Sequence, residues 1–244
     1  MDRFRQKLLP IKDAAAYLGV SAATLRRWHD DGTFKATFVS PGKHRYYSFS
    51  DLGRKTKGLF RIAQDWVNAE SAVAPDDDFY CSTSDRFKIR HENMTHEMEK
   101  LSALQNIASL ISSAAGEIGN NSFDHNLGNW PDIRGMFFAY DLGKRIIVLA
   151  DRGVGVLATL RRIRPDLKTD EEALKTAFTE FVTGRAPEHR GNGLKYVRAA
   201  LSQADANLFF QSGEAVFEMR KGSDAYSITK ADIPIRGSLS RITY

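Results

Sequence analysis

Ile11-Lys12-Asp13-Ala14-Ala15-Ala16-Tyr17-Leu18-Gly19-Val20-Ser21-Ala22-Ala23-Thr24-Leu25-Arg26-Arg27-Trp28 consists of two short amphipathic stretches around a turn. In Ile11 to Leu18, Ala14, Ala15 and Leu18 recur at helical spacing and face inward. Gly19 can take the left-handed conformation that ends a helix, and Ser21 is a good N-cap for the next one. That next helix, Ala22 to Asp30, carries Thr24, Arg26 and Arg27 on its polar side and leaves Leu25 and Trp28 for packing. Two short helices joined by a tight glycine turn make a helix-turn-helix, whose second helix fits the major groove of DNA.

Working outward, Phe34 to Phe49 alternates in strand fashion around the hairpin turn Ser40-Pro41-Gly42. Its basic tip and return strand, Lys43, His44, Arg45, Tyr46 and Tyr47, would form a wing able to touch phosphates. Ser50-Asp51-Leu52 then caps another helix, and Lys55 to Ala69 can form a connector or interface helix burying Leu59, Ile62, Ala63, Trp66 and Val67. Between Ala72 and Arg86, Val73-Ala74-Pro75-Asp76-Asp77-Asp78 and Ser82-Thr83-Ser84-Asp85 are polar and turn-forming. The expected organisation is therefore a DNA-binding domain with its connector helix at 1–72, a linker at 73–86 and a second domain at 87–244.

The string Ile11 to Trp28, the wing ending Arg45-Tyr46-Tyr47 and the following Asp51-Leu52 resemble the MerR and excisionase type of winged helix-turn-helix over residues 8–54. The resemblance implies base contacts from around Thr24, Arg26 and Arg27. It also implies backbone contacts from Lys43, His44, Arg45 and Tyr46, double-stranded DNA as partner, and a homodimer acting on two-fold sites. Helix-turn-helix units also serve as protein-docking modules, and Trp28 and Tyr47 suit a core as well as a contact.

Charge follows the same division. Residues 1–72 hold 13 Lys and Arg against 7 Asp and Glu, whereas 73–244 hold 22 against 23, so the whole positive excess of the chain lies in its first third. A basic segment joined to a nearly neutral one suits a polyanion-binding module attached to something else. Of the 244 residues 42% are hydrophobic, enough for a real core. The single cysteine, Cys81, excludes an internal disulfide framework or a cysteine-based zinc site and fits a reducing cytosol. Apolar runs such as Ile146 to Ala150 fall far short of the ~20 residues that cross a bilayer. Met1-Asp2-Arg3-Phe4-Arg5 leads into no stretch of signal-peptide length, so a cytoplasmic protein without membrane contact is expected.

In the second domain, Leu101, Leu104, Ile107, Ala108 and Ile111 recur at helical spacing. Glu117, Asn121 and His125 fall at i, i+4 and i+8 and so stack on one helical face. An Asn oxygen can ligate magnesium and a Glu one turn away can orient or deprotonate a water or hydroxyl, although such spacing also marks an ordinary solvated face. Ile146-Ile147-Val148-Leu149-Ala150 is a buried strand running into Asp151-Arg152-Gly153-Val154-Gly155. An Asp there can accept from an exocyclic amine while the glycines let backbone approach a flat ring. Arg190-Gly191-Asn192-Gly193-Leu194 opens the helix Leu194 to Ser202, whose free amides favour phosphate.

In this order the three elements resemble the N, G1 and G2 boxes of the GHKL ATPase superfamily, over about residues 100–244. The family includes the ATPase component of DNA gyrase, histidine kinases, mismatch-repair ATPases and anti-sigma-factor serine kinases. The resemblance implies an α/β sandwich with a mixed sheet built from 135–141, 145–150, 208–212, 215–220 and a last strand near 239–244. It implies ATP and magnesium as cofactors, with Glu117 as general base, Asn121 holding the metal and Asp151 recognising adenine. Gly153 and Gly155 would shape the base pocket. Gly191, Asn192, Gly193 and Leu194 would wrap the phosphates, and 156–190 would be the ATP lid, containing a helix from Glu171 to Phe181 and a mobile stretch at Thr183 to Pro187. His91 and His96 lie too close to the N box for a phosphoacceptor hairpin and are expected as surface positions, and Gly237-Ser238 stands where the family often has Gly-Thr.

The function expected from the two resemblances is a DNA-binding transcriptional regulator whose DNA or partner contacts are switched by ATP binding or hydrolysis. The alternatives are an anti-sigma-type serine protein kinase, with Glu117 deprotonating a serine of a protein partner, or an ATPase accessory of a mobile-element or defence system.

Overall fold

The computed structural model describes residues 8–18, 21–48, 51–52, 58–71, 73–180, 193–223 and 225–244. The expected Gly19 turn, the Arg190-Gly191-Asn192 stretch and the Thr183 to Pro187 segment lie outside the described residues. The chain divides into two compact units, Met1–Ile62 and Ala63–Tyr244.

In the amino-terminal unit, strand β1 (Leu8–Pro10) leads into helices α1 (Ile11–Leu18) and α2 (Ala22–Asp30), followed by strands β2 (Phe38–Val39) and β3 (Arg45–Ser48). The N-cap forms as the sequence requires, with the Thr24 amide donating to Ser21 Oγ at 3.0 Å. The strands make an antiparallel sheet in the order β1-β3-β2, and β1 is an element the hydropathy pattern did not mark. Ala14, Ala15, Leu25, Tyr47 and Leu52 form the small core, against which Trp28 and Phe34 pack. Tyr47 is therefore a core residue, stacked on Phe34 with ring centroids 5.4 Å apart.

Helix α3 (Gly58–Asn68) runs from the first unit into the second. The segment expected as a linker carries strand β4 (Tyr80–Cys81) and the start of helix α4 (Ser84–Lys100), which buries Phe87, Met94 and Met98. The apolar spacing from Leu101 onward is resolved into a turn at 101–104 and the long helix α5 (Gln105–Asp124).

Strands β5 (Met136–Asp141) and β6 (Ile146–Asp151) form a hairpin. Helices α6 (Gly155–Leu160), α7 (Asp170–Thr179) and α8 (Gly193–Gln203) follow. Strands β7 (Asn207–Ser212), β8 (Ala215–Met219), β9 (Tyr226–Lys230) and β10 (Ser238–Thr243) complete a seven-stranded sheet ordered β4-β5-β6-β10-β7-β8-β9. All its strand pairings are antiparallel, which corrects the expected mixed sheet. The reason is where the last strand goes. A helical crossover from β6 to β7 would normally set two parallel strands side by side, but β10 returns and inserts between them, antiparallel to both.

Side chains alternate across the sheet. Phe138, Ile147, Leu149, Phe210, Phe217 and Ile242 join one large cluster with Phe87, Ile111, Ile118 and Val197 of the helices. Helix α7 belongs to that core, since its Phe178 stacks on Phe217 at 3.9 Å. Part of the segment expected as a lid is thus fixed in place. His91, expected on the surface, is half-buried, with Nε2 2.8 Å from the Ser112 carbonyl oxygen. Among the described residues no helix is long and apolar enough to cross a membrane.

Candidate functional site

Two places concentrate the chemistry, one in each unit. On α2, Arg26 and Arg27 are exposed at consecutive positions and Thr24 is half-buried beside the cap, its hydroxyl 2.9 Å from Ser21 Oγ. The hairpin turns tightly at 40–44, closed by hydrogen bonds from the Lys43 amide to the Ser40 carbonyl and from the Ser40 amide to the His44 carbonyl. Lys43 has φ +60°, and both Lys43 and His44 project into solvent. Arg45 instead reaches back to α2, where Nη2 lies 2.7 Å from Asp30 Oδ1, so this arginine holds the hairpin to the helix. Tyr46 leans on exposed Phe38 with centroids 6.0 Å apart. The polar side of α2 therefore presents Arg26 and Arg27 to solvent, and the hairpin tip presents Lys43 and His44.

The second place is a cavity of about 790 Å³ in the carboxy-terminal unit. One wall is α5, which contributes Glu117, Asn121 and His125, the three residues stacked by their four-residue spacing. Asp151 at the end of β6, Gly155, and Gly193 and Leu194 at the start of α8 also face it, together with Ser238. Gly153 lies just behind this lining, and a Cβ there would meet the Asn126 amide at about 2 Å. Its bareness lets Asn126 Oδ1 accept from the Val154 amide at 2.8 Å, which shapes the turn from β6 to α6. Gly191 and Asn192 lie outside the described residues.

Asp151 is 4% exposed and lines the cavity. Its Oδ2 accepts from Ser238 Oγ at 2.6 Å and Ser122 Oγ at 2.9 Å, and its Oδ1 from the Gly153 amide at 2.8 Å. Burial pushes this carboxyl up, and the Ser238, Gly153 and Ser122 hydrogen bonds work the other way. Two carboxylate oxygens offer about four acceptor sites, so three internal donors leave room for one more.

Glu117 lies against the first turn of α8, where a Cβ on Gly193 would fall 2.0 Å from its Oε1. Burial, then the nearby Asp124 charge, raise the Glu117 carboxyl above its ordinary value. Burial lowers the His125 imidazole, which favours its neutral form. No cluster of three or more His, Cys, Asp or Glu suited to a metal occurs among the described residues. A cation here would take Asn121 as its protein ligand and complete its shell from water and a ligand's own oxygens, an arrangement that suits magnesium.

Ser122, Asn126, Asp132, Arg152 and Arg236 carry no individual signal in the sequence. Ser122 follows Asn121 directly, but whether its hydroxyl meets Asp151 depends on which side of α5 faces β6. Asp132 sits in an unpatterned loop. Only the fold brings it to Arg152 Nη2 at 2.8 Å and Arg236 Nη1 at 2.9 Å.

Residues 8–54 match the family of helix-turn-helix domains. No curated protein matches the chain.

Proposed function

We propose that the chain is an ATP-responsive DNA-binding regulator, in which nucleotide held in the carboxy-terminal cavity alters DNA binding by the helix-turn-helix. The helix-turn-helix match and the basic excess of residues 1–72 support the DNA half of the reading. The single observation that carries the nucleotide half is Asp151. A buried carboxylate with three internal donors and spare acceptor capacity in the lining of a cavity suits the 6-amino group of adenine and disfavours the 6-oxo group of guanine. A bound amine would be a fourth donor and would further favour the ionised form.

The lining contributed by the start of α8 suits phosphates. Glu117 lies against the amino end of α8, where amide groups and the helix dipole favour negative charge, and Asn121 lines the same cavity. Magnesium, when bound, would neutralise phosphate charge. Asn121 would hold it, while Glu117, raised by burial and then by the Asp124 charge, would be a stronger base than an ordinary glutamate for a proton from a water or hydroxyl. His125, favoured neutral, can donate or accept a hydrogen bond without adding charge.

The experiment is calorimetric titration of the full chain with AMP-PNP and magnesium, beside Asn121→Ala and Glu117→Gln. Binding by the wild type, its loss in Asn121→Ala, and binding without ATP turnover in Glu117→Gln are the expected results. A wild type that binds no nucleotide overturns the reading and leaves a DNA-binding chain with a different ligand or none. Transfer of label from γ-labelled ATP to a protein serine would redirect it to the kinase alternative.

A further inference from the structure

Arg152 is 1% exposed and follows Asp151 directly. Its Nε and Nη2 donate to Asp132 Oδ2 at 3.0 and 2.8 Å, while Nη1 donates to the carbonyl oxygens of Trp66 and Val67 at 2.7 and 3.1 Å. Those two carbonyls belong to the last turn of α3, the helix that continues from the helix-turn-helix unit. Terminal helix carbonyls lack intrahelical donors, and α3 has no basic residue in its last turn. The Trp66 carbonyl also accepts from the Ala69 amide at 3.4 Å, and the side-chain cap on both carbonyls comes from a residue some 85 positions away.

The carboxylate that holds the guanidinium makes a second tie. Asp132 Oδ2 also accepts from Arg236, two residues before Ser238, which itself donates to Asp151. Between them Gly237 has φ +74°, and a Cβ there would meet the Asp151 carbonyl oxygen at 2.2 Å, so the two segments lie in contact. Burial opposes ionisation of Asp132, but the Arg152 hydrogen bond, the Ile133 amide and the charges of Arg152 and Arg236 hold its carboxyl below the usual range. The two segments presenting Asp151 and Ser238 are thus pinned by one carboxylate, and the arginine bound to it caps α3.

We propose that Arg152 is the link through which occupancy of the cavity at Asp151 and Ser238 sets the stability of the last turn of α3, and so regulates the helix shared by the two units. This rests on the nucleotide reading above. A ligand drawing on Asp151 and Ser238 favours one placement of the 151–152 and 236–238 segments, and that placement strengthens or releases the cap. Only a planar fork serves Asp132 and two carbonyls together, so Lys cannot replace Arg152 in this role.

The test is hydrogen exchange of the 63–71 amides in the full chain, with and without AMP-PNP and magnesium, in wild type and Arg152→Lys. In the wild type the nucleotide should change exchange in this segment by at least about fivefold, the lower end of ordinary coupling between sites. Arg152→Lys should still bind AMP-PNP but lose that change, and its DNA affinity should no longer respond to nucleotide. A purely structural arginine would speed exchange equally in both states and leave the nucleotide response intact, which would overturn the proposal. Wild-type binding without any response at 63–71 would overturn it alone. Absence of binding would overturn the nucleotide reading and the link together. The wild-type comparison needs no substitution, and Asp132→Asn, which loosens the other anchor of Arg152, repeats the variant arm should Arg152→Lys fail to fold.

Discussion

Asp151 and Glu117 face one cavity, and burial raises both carboxyls, but their surroundings differ. Asp151 is met by two hydroxyls and an amide, whereas Glu117 has a like charge, Asp124, near it. For a carboxyl whose folded pKa is raised, the protonated form contributes stability that is lost as pH rises through that pKa, so at neutral pH the buried Asp151 charge costs stability. Asp151→Asn removes the charge and keeps a carbonyl for the Gly153 amide, with Nδ2 toward the serine hydroxyls. Its melting temperature should equal or exceed that of the wild type while AMP-PNP binding is lost, and calorimetry beside a thermal melt checks both. A variant that melts well below the wild type would mean the charge itself holds the site together. If Glu117 is the base of the proposed ATP turnover, its raised carboxyl stays protonated further up the pH scale, so the acid limb of that turnover should lie above that of an ordinary glutamate. Asp124→Asn removes the repulsion and should move that limb of the pH–kcat profile to lower pH; an unmoved limb would sever Asp124 from the base.

Helix α5 combines two kinds of periodicity. Its cavity face repeats every four residues through Glu117, Asn121 and His125, and this was legible from spacing alone. Its packing face depends on small residues whose need for bareness is set by another helix. Gly119 lies under the Phe87 ring of α4, where a Cβ would fall 2.0 Å from Cζ. Helix propensity alone would favour alanine by about 1 kcal/mol. Overpacking should reverse the sign, so Gly119→Ala is expected to destabilise by about 1–3 kcal/mol in chemical denaturation. On α2, exposed Arg26 should act through DNA charge. Arg26→Ala should weaken binding and reduce the slope of log affinity against log salt by about one unit, and an unchanged slope would place the phosphate contact elsewhere.

For the whole chain, thermodynamics ties any two coupled sites in both directions. If AMP-PNP changes DNA affinity by some factor, DNA must change AMP-PNP affinity by the same factor. Titrating each ligand in the presence of the other should return equal factors of about five or more. A nucleotide that binds without altering DNA affinity would leave two independent functions on one chain. The proposed coupling would run through the hydrogen bonds from Arg152 to the last turn of α3, a helix whose residues 58–68 fall on both sides of the division between the units.

The sequence by itself determined the helix-turn-helix match, because the Ser21 cap and the apolar spacing of its two helices are local and act within about twenty residues. It also determined the alignment of Glu117, Asn121 and His125, a consequence of helical pitch. Tertiary structure decided the antiparallel sheet, since only the return of the last strand shows that β10 enters between β6 and β7. It placed Tyr226–Lys230 at the sheet edge as β9, a short and largely exposed strand whose pattern alone did not announce it. It likewise decided the partners of Asp151 and Arg152. Hydrogen bonds that span 85 or 87 residues depend on where separate elements meet, and local propensity carries no record of that meeting.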